Sequence, residues 1–110
     1  MKIITKKKEK QLLKEECWSL DHSLILWLNE HLKVYLEDAG KMVDLEFHKI
    51  KYGRKTYTQK ELIERLIVIT NILSDENAYY GYDEHMKDTI VSLTNEMYDI
   101  LKVVHFYLWW

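Results

Sequence analysis

From Leu20 to Glu37 the apolar positions, projected at about 100° per residue, fill an arc of roughly 200° broken by Asp21 and His31. Such an arc predicts a helix enclosed by protein on most sides, and it obliges the two ionisable groups to find partners in the interior. Ser19 is the expected N-cap and Asp21 lies in the first turn. The helix is expected to end at Asp38-Ala39-Gly40, with Gly40 in the left-handed C′ conformation. Upstream, Lys6 to Cys17 has helical propensity but few apolar residues, which fits a short exposed helix or a frayed basic arm over residues 1–17. After Gly40 the period shortens. Val43, Leu45 and Phe47 alternate, and the run to Tyr57 fits a small β-hairpin within 43–57 turning at Gly53, or an ordered loop.

Tyr57-Thr58-Gln59-Lys60-Glu61-Leu62 carries a capping box, Thr at the N-cap and Glu at N3, together with an apolar staple. The helix it starts shows Leu62, Ile63, Leu66, Ile67, Ile69 and Leu73 on one wide face, with Val68 and Ile72 spilling past it. Ser74 to Tyr82 reads as a loop. A last helix from about Asp83 has heptad-like spacing at Met86, Ile90, Leu93, Met97, Ile100 and Val104. From Val103 to Trp110 the chain is apolar on every side of a helix, so this end is expected to be buried against its own bundle or in a partner subunit. The pattern predicts a single domain over residues 1–110, mainly α: a three- to four-helix bundle with a short hairpin.

Composition narrows the class. With 110 residues, 47% hydrophobic and 31% charged, the chain is globular rather than disordered. No apolar run approaches the ~18 residues of a membrane span, and the basic start lacks the features of a secretory signal, so a cytoplasmic protein is expected. The net charge of −2 conceals an asymmetry: residues 1–60 hold 13 Lys/Arg against 9 Asp/Glu, and residues 61–110 hold 3 against 9. The front half therefore attracts anions, without the continuous stripe of a duplex-DNA binder.

Trp18-Ser19-Leu20-Asp21, then Trp27-Leu28, then His31-Leu32-Lys33-Val34-Tyr35-Leu36-Glu37, resembles a pattern in small proteins of tailed bacteriophages that open with W-x-L-D. Thr58-Gln59-Lys60-Glu61-Leu62 matches their L-T-x-E-E-W-type helix start, and Phe106-Tyr107-Leu108-Trp109 their aromatic L-W end, so the resemblance spans about Trp18 to Trp110. This chain departs from the pattern in carrying Glu30-His31 where those proteins tend to have Pro-Arg, and in the basic ribbon from Phe47 to Tyr57. The resemblance implies a phage accessory protein acting in a bacterial host, and no chemistry. A role against host defence is analogy alone.

Candidate chemistry is sparse. The histidines His22, His31, His48, His85 and His105 lack metal-ligand spacing, and there is no P-loop, GxGxxG or GxSxG. The single Cys17 fits a small apolar packing residue. Asp21 and His31, about 15 Å apart along one helix, cannot bond each other; each is either a polar contact in a site or a structural group, Asp21 at the helix dipole and His31 hydrogen-bonded in the core.

Lys49, Lys51, Arg54 and Lys55, interleaved with Tyr52 and Tyr57, form either a phosphate- and base-binding cluster or a solvated loop. Tyr79, Tyr80 and Tyr82 line a rim or seal the bundle end. Phe106, Tyr107, Trp109 and Trp110 suit core or a homo-oligomer interface. These features favour a non-enzymatic protein, without cofactor or membrane attachment. It would sequester a small anionic ligand such as a nucleotide through Lys49, Lys51, Tyr52, Arg54 and Lys55, with His31 and Asp21. The alternatives are a protein-binding inhibitor of a host factor and an assembly or replication accessory without ligand.

Overall fold

Four backbone N–H groups at the start of a helix need acceptors from outside the helical ladder, and the chain supplies all four around Thr58. Thr58 Oγ1 accepts from the Glu61 amide at 3.1 Å, and Glu61 returns a carboxylate oxygen to the Thr58 amide at 3.1 Å. The amides of Gln59 and Lys60 donate to the carbonyls of His48 and Leu45 at 3.3 and 2.9 Å. The expected capping box thus exists, and it also ties the preceding loop to the helix.

The computed structural model describes Cys17, residues 19–81 and residues 84–110. The arm or short helix expected over residues 1–17, Trp18 of the W-x-L-D motif, and Tyr82 and Asp83 therefore lie outside the described residues, Cys17 excepted. The fold is mainly α, a helical bundle with one small hairpin: α1 (Leu20–Ala39), β1 (Lys49–Tyr52), β2 (Lys55–Thr58), α2 (Gln59–Leu73), α3 (Glu76–Tyr79) and α4 (Glu84–Val104), followed by a 3-10 turn (His105–Tyr107).

The hairpin pairs antiparallel with Ile50 opposite Tyr57 and Tyr52 opposite Lys55. Gly53 and Arg54 remain as a two-residue loop, and Gly53 at φ +64° supplies the positive dihedral that the first position of a type II′ turn demands. Val43, Leu45 and Phe47, although alternating in sequence, form turns rather than strand.

Helix α2 lies between α1 and α4 and packs on both, while α1 and α4 scarcely meet. Its side chains Ile63, Leu66, Ile69 and Leu73 are completely buried, with Leu62 at 2% exposure. From α4, Ile90, Met97, Ile100 and Val104 close one side at the expected spacing; from α1, Ile25 and Leu32 close the other. Val68 and Ile72 stay exposed, as the spill of the apolar face predicts.

Several expectations need correction. Asp21 and His31 are exposed, and the polar groups that α1 buries are His22 and Asn29. Ser19 occupies the N-cap position at φ 51°, ψ 51°, a left-handed conformation in which its side chain makes no capping bond. Gly40 is right-handed, at φ −62°; a Cβ there would stand 2.5 Å from the Leu36 carbonyl oxygen, so close backbone approach selects the glycine. Residues 74–82 are not wholly loop, because Asp75 accepts from the Asn77 amide at 3.0 Å and caps the single turn of α3. Cys17 is exposed rather than packed. The last helix stops at Val104, and beyond it Phe106, Trp109 and Trp110 are 83%, 58% and 65% exposed, so the aromatic end is not buried within the chain.

The central position of α2 has a measurable consequence. In urea unfolding at about 1 μM protein, Leu66→Ala should lower stability by about 3 kcal/mol and Thr58→Ala by about 1 kcal/mol, while Leu24→Ala on the outer face of α1 should change it by less than about 0.5 kcal/mol. Similar losses for Leu66 and Leu24 would mean that α2 is not the enclosed helix.

Candidate functional site

Alternation along β1 decides what the basic hairpin can do. Ile50 is buried and Tyr52 half-buried, whereas Lys49 and Lys51 are exposed, so the pleat sends lysines and tyrosine to opposite faces. Tyr57, opposite Ile50, shares the inner face, its ring 6.2 Å from that of Tyr52. Burial, followed by the charges of Glu96 and Asp99, pushes the Tyr52 hydroxyl above its ordinary pKa. Both tyrosines pack on the core. Lys49, Lys51, Arg54 and Lys55 are exposed and enter none of the ion pairs among the described residues. The structure thus holds the four cations together on one short ribbon but parts Lys49 and Lys51 from the rings they were expected to share with a ligand.

Where the hairpin begins, it meets the C-terminal tail. The buried Gln59 amide donates to the Tyr107 carbonyl at 2.7 Å and to the Tyr35 hydroxyl at 3.2 Å, and Tyr35 in turn donates to the Trp109 carbonyl at 2.9 Å. This knot fastens α1, α2 and the tail by backbone oxygens, with the Tyr107 ring half-buried against the core and the rings of Phe106, Trp109 and Trp110 left outside. The His48 ring sits 4.9 Å from Tyr107, and Phe47, 72% exposed, stands edge-on to His48 at 5.2 Å. Between Phe47, His48, Tyr107, Trp109, Val43 and Leu45 opens a mostly apolar pocket of about 250 Å³. Gln59 and Tyr35, which shape it, escaped the sequence reading. No local pattern marks either residue, because the carbonyls they reach, those of Tyr107 and Trp109, lie 48 and 74 residues away.

The first turn of α1 adjoins a second concavity. The Tyr79 hydroxyl donates to Asp21 Oδ2 at 2.6 Å, which holds the carboxyl below the ordinary range, while burial and the carboxylate push the Tyr79 hydroxyl up to about 12. His22 lies against Tyr79 and Tyr80, with ring centroids at 4.9 and 5.6 Å. Its Nε2–H donates to the Leu73 and Ser74 carbonyls at 3.2 and 3.1 Å and so satisfies the C-terminal end of α2. Asp21, Tyr79, Tyr80, Lys87 and Asn95 border an open groove of about 520 Å³.

His31 belongs to neither place. Its Nδ1–H donates to the Trp27 carbonyl at 2.7 Å, and its ring stacks on Trp27 at 3.9 Å on the outer face of α1. The candidate site residues therefore fall into three separate regions: the hairpin with the tail, the start of α1, and the outer face of α1.

No protein-family model matches this chain, and no curated protein or solved structure is significantly similar to it. Among the described residues, no three His, Cys, Asp or Glu side chains converge as a metal site, and no helix is long and apolar enough to cross a membrane.

The Asp21–Tyr79 bond carries a definite pH signature. Its contribution to stability is present above the ordinary carboxylate pKa of about 3.9 and below the ordinary tyrosine pKa of about 10. It is lost as pH falls through the lowered Asp21 value, and again as pH rises through about 12, where Tyr79 ionises. In a phenolate absorbance titration one tyrosine should titrate near 12. Asp21→Asn should lower that midpoint only in part, because burial, the larger cause, remains, and Tyr79→Phe should delete it. Unchanged midpoints in both variants would show that the pair does not form.

Proposed function

We propose that this chain is a non-catalytic protein-binding module that seats an apolar or aromatic anchor residue of a partner segment in the pocket between the hairpin and the C-terminal tail. One observation carries the reading: an apolar pocket of about 250 Å³, the size for one large side chain, walled by exposed aromatic rings whose backbone the Gln59–Tyr35 knot holds fixed. Such fixed aromatic walls suit anchor recognition, because little conformational freedom is lost on binding. Lys49 and Lys51 follow His48 on the exposed face of β1 and enter none of the ion pairs among the described residues, which favours acidic residues in the partner on that side, away from Asp44 in the pocket wall.

The sequestering of a small anionic ligand by the hairpin has weaker support. A flat ribbon with Lys49 and Lys51 on the face away from Tyr52 and Tyr57 does not enclose a nucleotide. Resemblance to small phage proteins makes a bacterial host factor in the cytoplasm the partner class to test first. On this reading Phe106, Tyr107 and Trp109 serve a heterologous partner rather than a homo-oligomer.

The probe is a synthetic peptide with a central Phe flanked by Asp and Glu, titrated into isotopically labelled protein. Resonances of Phe47, His48, Tyr107 and Trp109 should shift with a Kd on the order of 10–100 μM. Trp109→Ala should weaken binding at least about fivefold, and Lys49→Gln with Lys51→Gln about threefold, while nucleotides at millimolar concentration leave the melting temperature unchanged. A melting temperature that climbs with nucleotide concentration, with no peptide-induced shifts, would overturn the reading in favour of the small ligand.

A further inference from the structure

Helix α1 carries two apolar stripes, and its own chain uses one of them. The inner stripe runs His22, Ile25, Asn29, Leu32, Leu36, Ala39, in steps of three and four, and faces α2. The outer stripe runs Leu20, Leu24, Trp27, His31, Val34, in steps of four and three, about 140° around the helix. Steps of four and three are the spacing of a seam between two packed helices. Yet Leu20, Leu24, Trp27 and Val34 are 58%, 46%, 55% and 56% exposed. Trp110 extends the patch.

We infer that this outer face is a self-association surface, on which α1 of a second copy packs antiparallel about a two-fold axis near the middle of the helix. The order of features along the face selects both the partner and the direction. Its N-terminal half carries a ridge of Leu20 and Leu24, one i, i+4 row, flanked by a shallow concavity of about 600 Å³ beside Ser23 and Glu30. Its C-terminal half borders a wholly apolar groove of about 350 Å³ between Trp27, His31, Val34, Leu108 and Trp110. An antiparallel pair sets each ridge into the other copy's groove, which a parallel pair cannot do. The surface is thus complementary to itself, as an isologous contact requires.

Its size agrees. The exposed parts of these side chains amount to about 600 Å² per copy, or about 1,200 Å² across the pair, at the lower edge of stable specific interfaces. His31 does not spoil the seam, because Nδ1 is already satisfied by the Trp27 carbonyl and the ring lies flat on the indole. Trp110 faces this groove while Trp109 lines the pocket on the hairpin side, so the two surfaces are separate and this inference does not depend on the docking of a peptide.

Light scattering on the full chain between 5 and 200 μM should give twice the 13.4 kDa of one chain at the upper end of that range. Leu24→Glu should weaken association at least tenfold while circular dichroism stays unchanged, and Trp109→Ala should leave the dimer intact. In a Cys17→Ser background, Glu30→Cys, one turn from the axis, should be bridged to its copy by a bifunctional thiol reagent spanning roughly 12 Å, and Glu37→Cys, about 30 Å from its copy, should not. A monomer at 200 μM, a dimer indifferent to Leu24→Glu with helix content preserved, or cross-linking as fast at residue 37 as at residue 30 would each overturn the inference.

Discussion

The enclosure of α2 is the constraint from which the remaining structure follows. A helix whose Ile63, Leu66, Ile69, Thr70 and Leu73 are all fully buried must be covered across the whole arc of about 120° that they fill, and the chain has two long helices with which to do so. Each therefore gives α2 one face, and since α1 and α4 scarcely meet, each keeps an opposite face uncovered. On α4 that face is mostly polar, with Lys87, Asp88, Ser92, Asn95 and Lys102 exposed. On α1 it is Leu20, Leu24, Trp27 and Val34. The difference in polarity between two topologically equivalent faces is what marks α1, and not α4, as unfinished.

Much of this architecture was legible in local signals. The capping box at Thr58, the spacing on α4 and the turn at Gly53 each depend on residues within a few positions of one another, and each formed as the pattern predicts. The orientation of α1 was not legible, because its two stripes share one period and the buried one contains the more polar residues. His22 and Asn29 are tolerated inside because acceptors and donors far along the chain meet them. Asn29 donates to Thr70 Oγ1 and to the side-chain oxygen of Asn71, each at 2.8 Å, and His22 reaches the last carbonyls of α2. Periodicity sees apolar character along one helix; it does not see a hydrogen-bond partner 41 or 51 residues away.

The candidate site divides in the same way. That Lys49 and Lys51 cannot share a face with Tyr52 follows from Lys-Ile-Lys-Tyr itself once the segment is a strand, so the parting of cations from rings was open to inference. The pocket beside the tail was not. It rests on Gln59 and Tyr35 reaching carbonyls 48 and 74 residues away, contacts with no local trace.

Those same bonds explain why the aromatic end is exposed despite its composition. A tail anchored through side-chain packing would bury its rings, as the apolar run predicts. This tail packs Tyr107 and Leu108 on the core and is otherwise held through the carbonyls of Tyr107 and Trp109, which keeps the backbone against α1 and α2 and leaves the indoles of Trp109 and Trp110 to the outside. Backbone anchoring also removes freedom before any partner arrives, so an aromatic contact made here costs less ordering than one made by a loose terminus. With Trp109 turned to the hairpin pocket and Trp110 to the groove of α1, one fixed segment supports two surfaces, and a change that loosens Gln59 should disturb both at once.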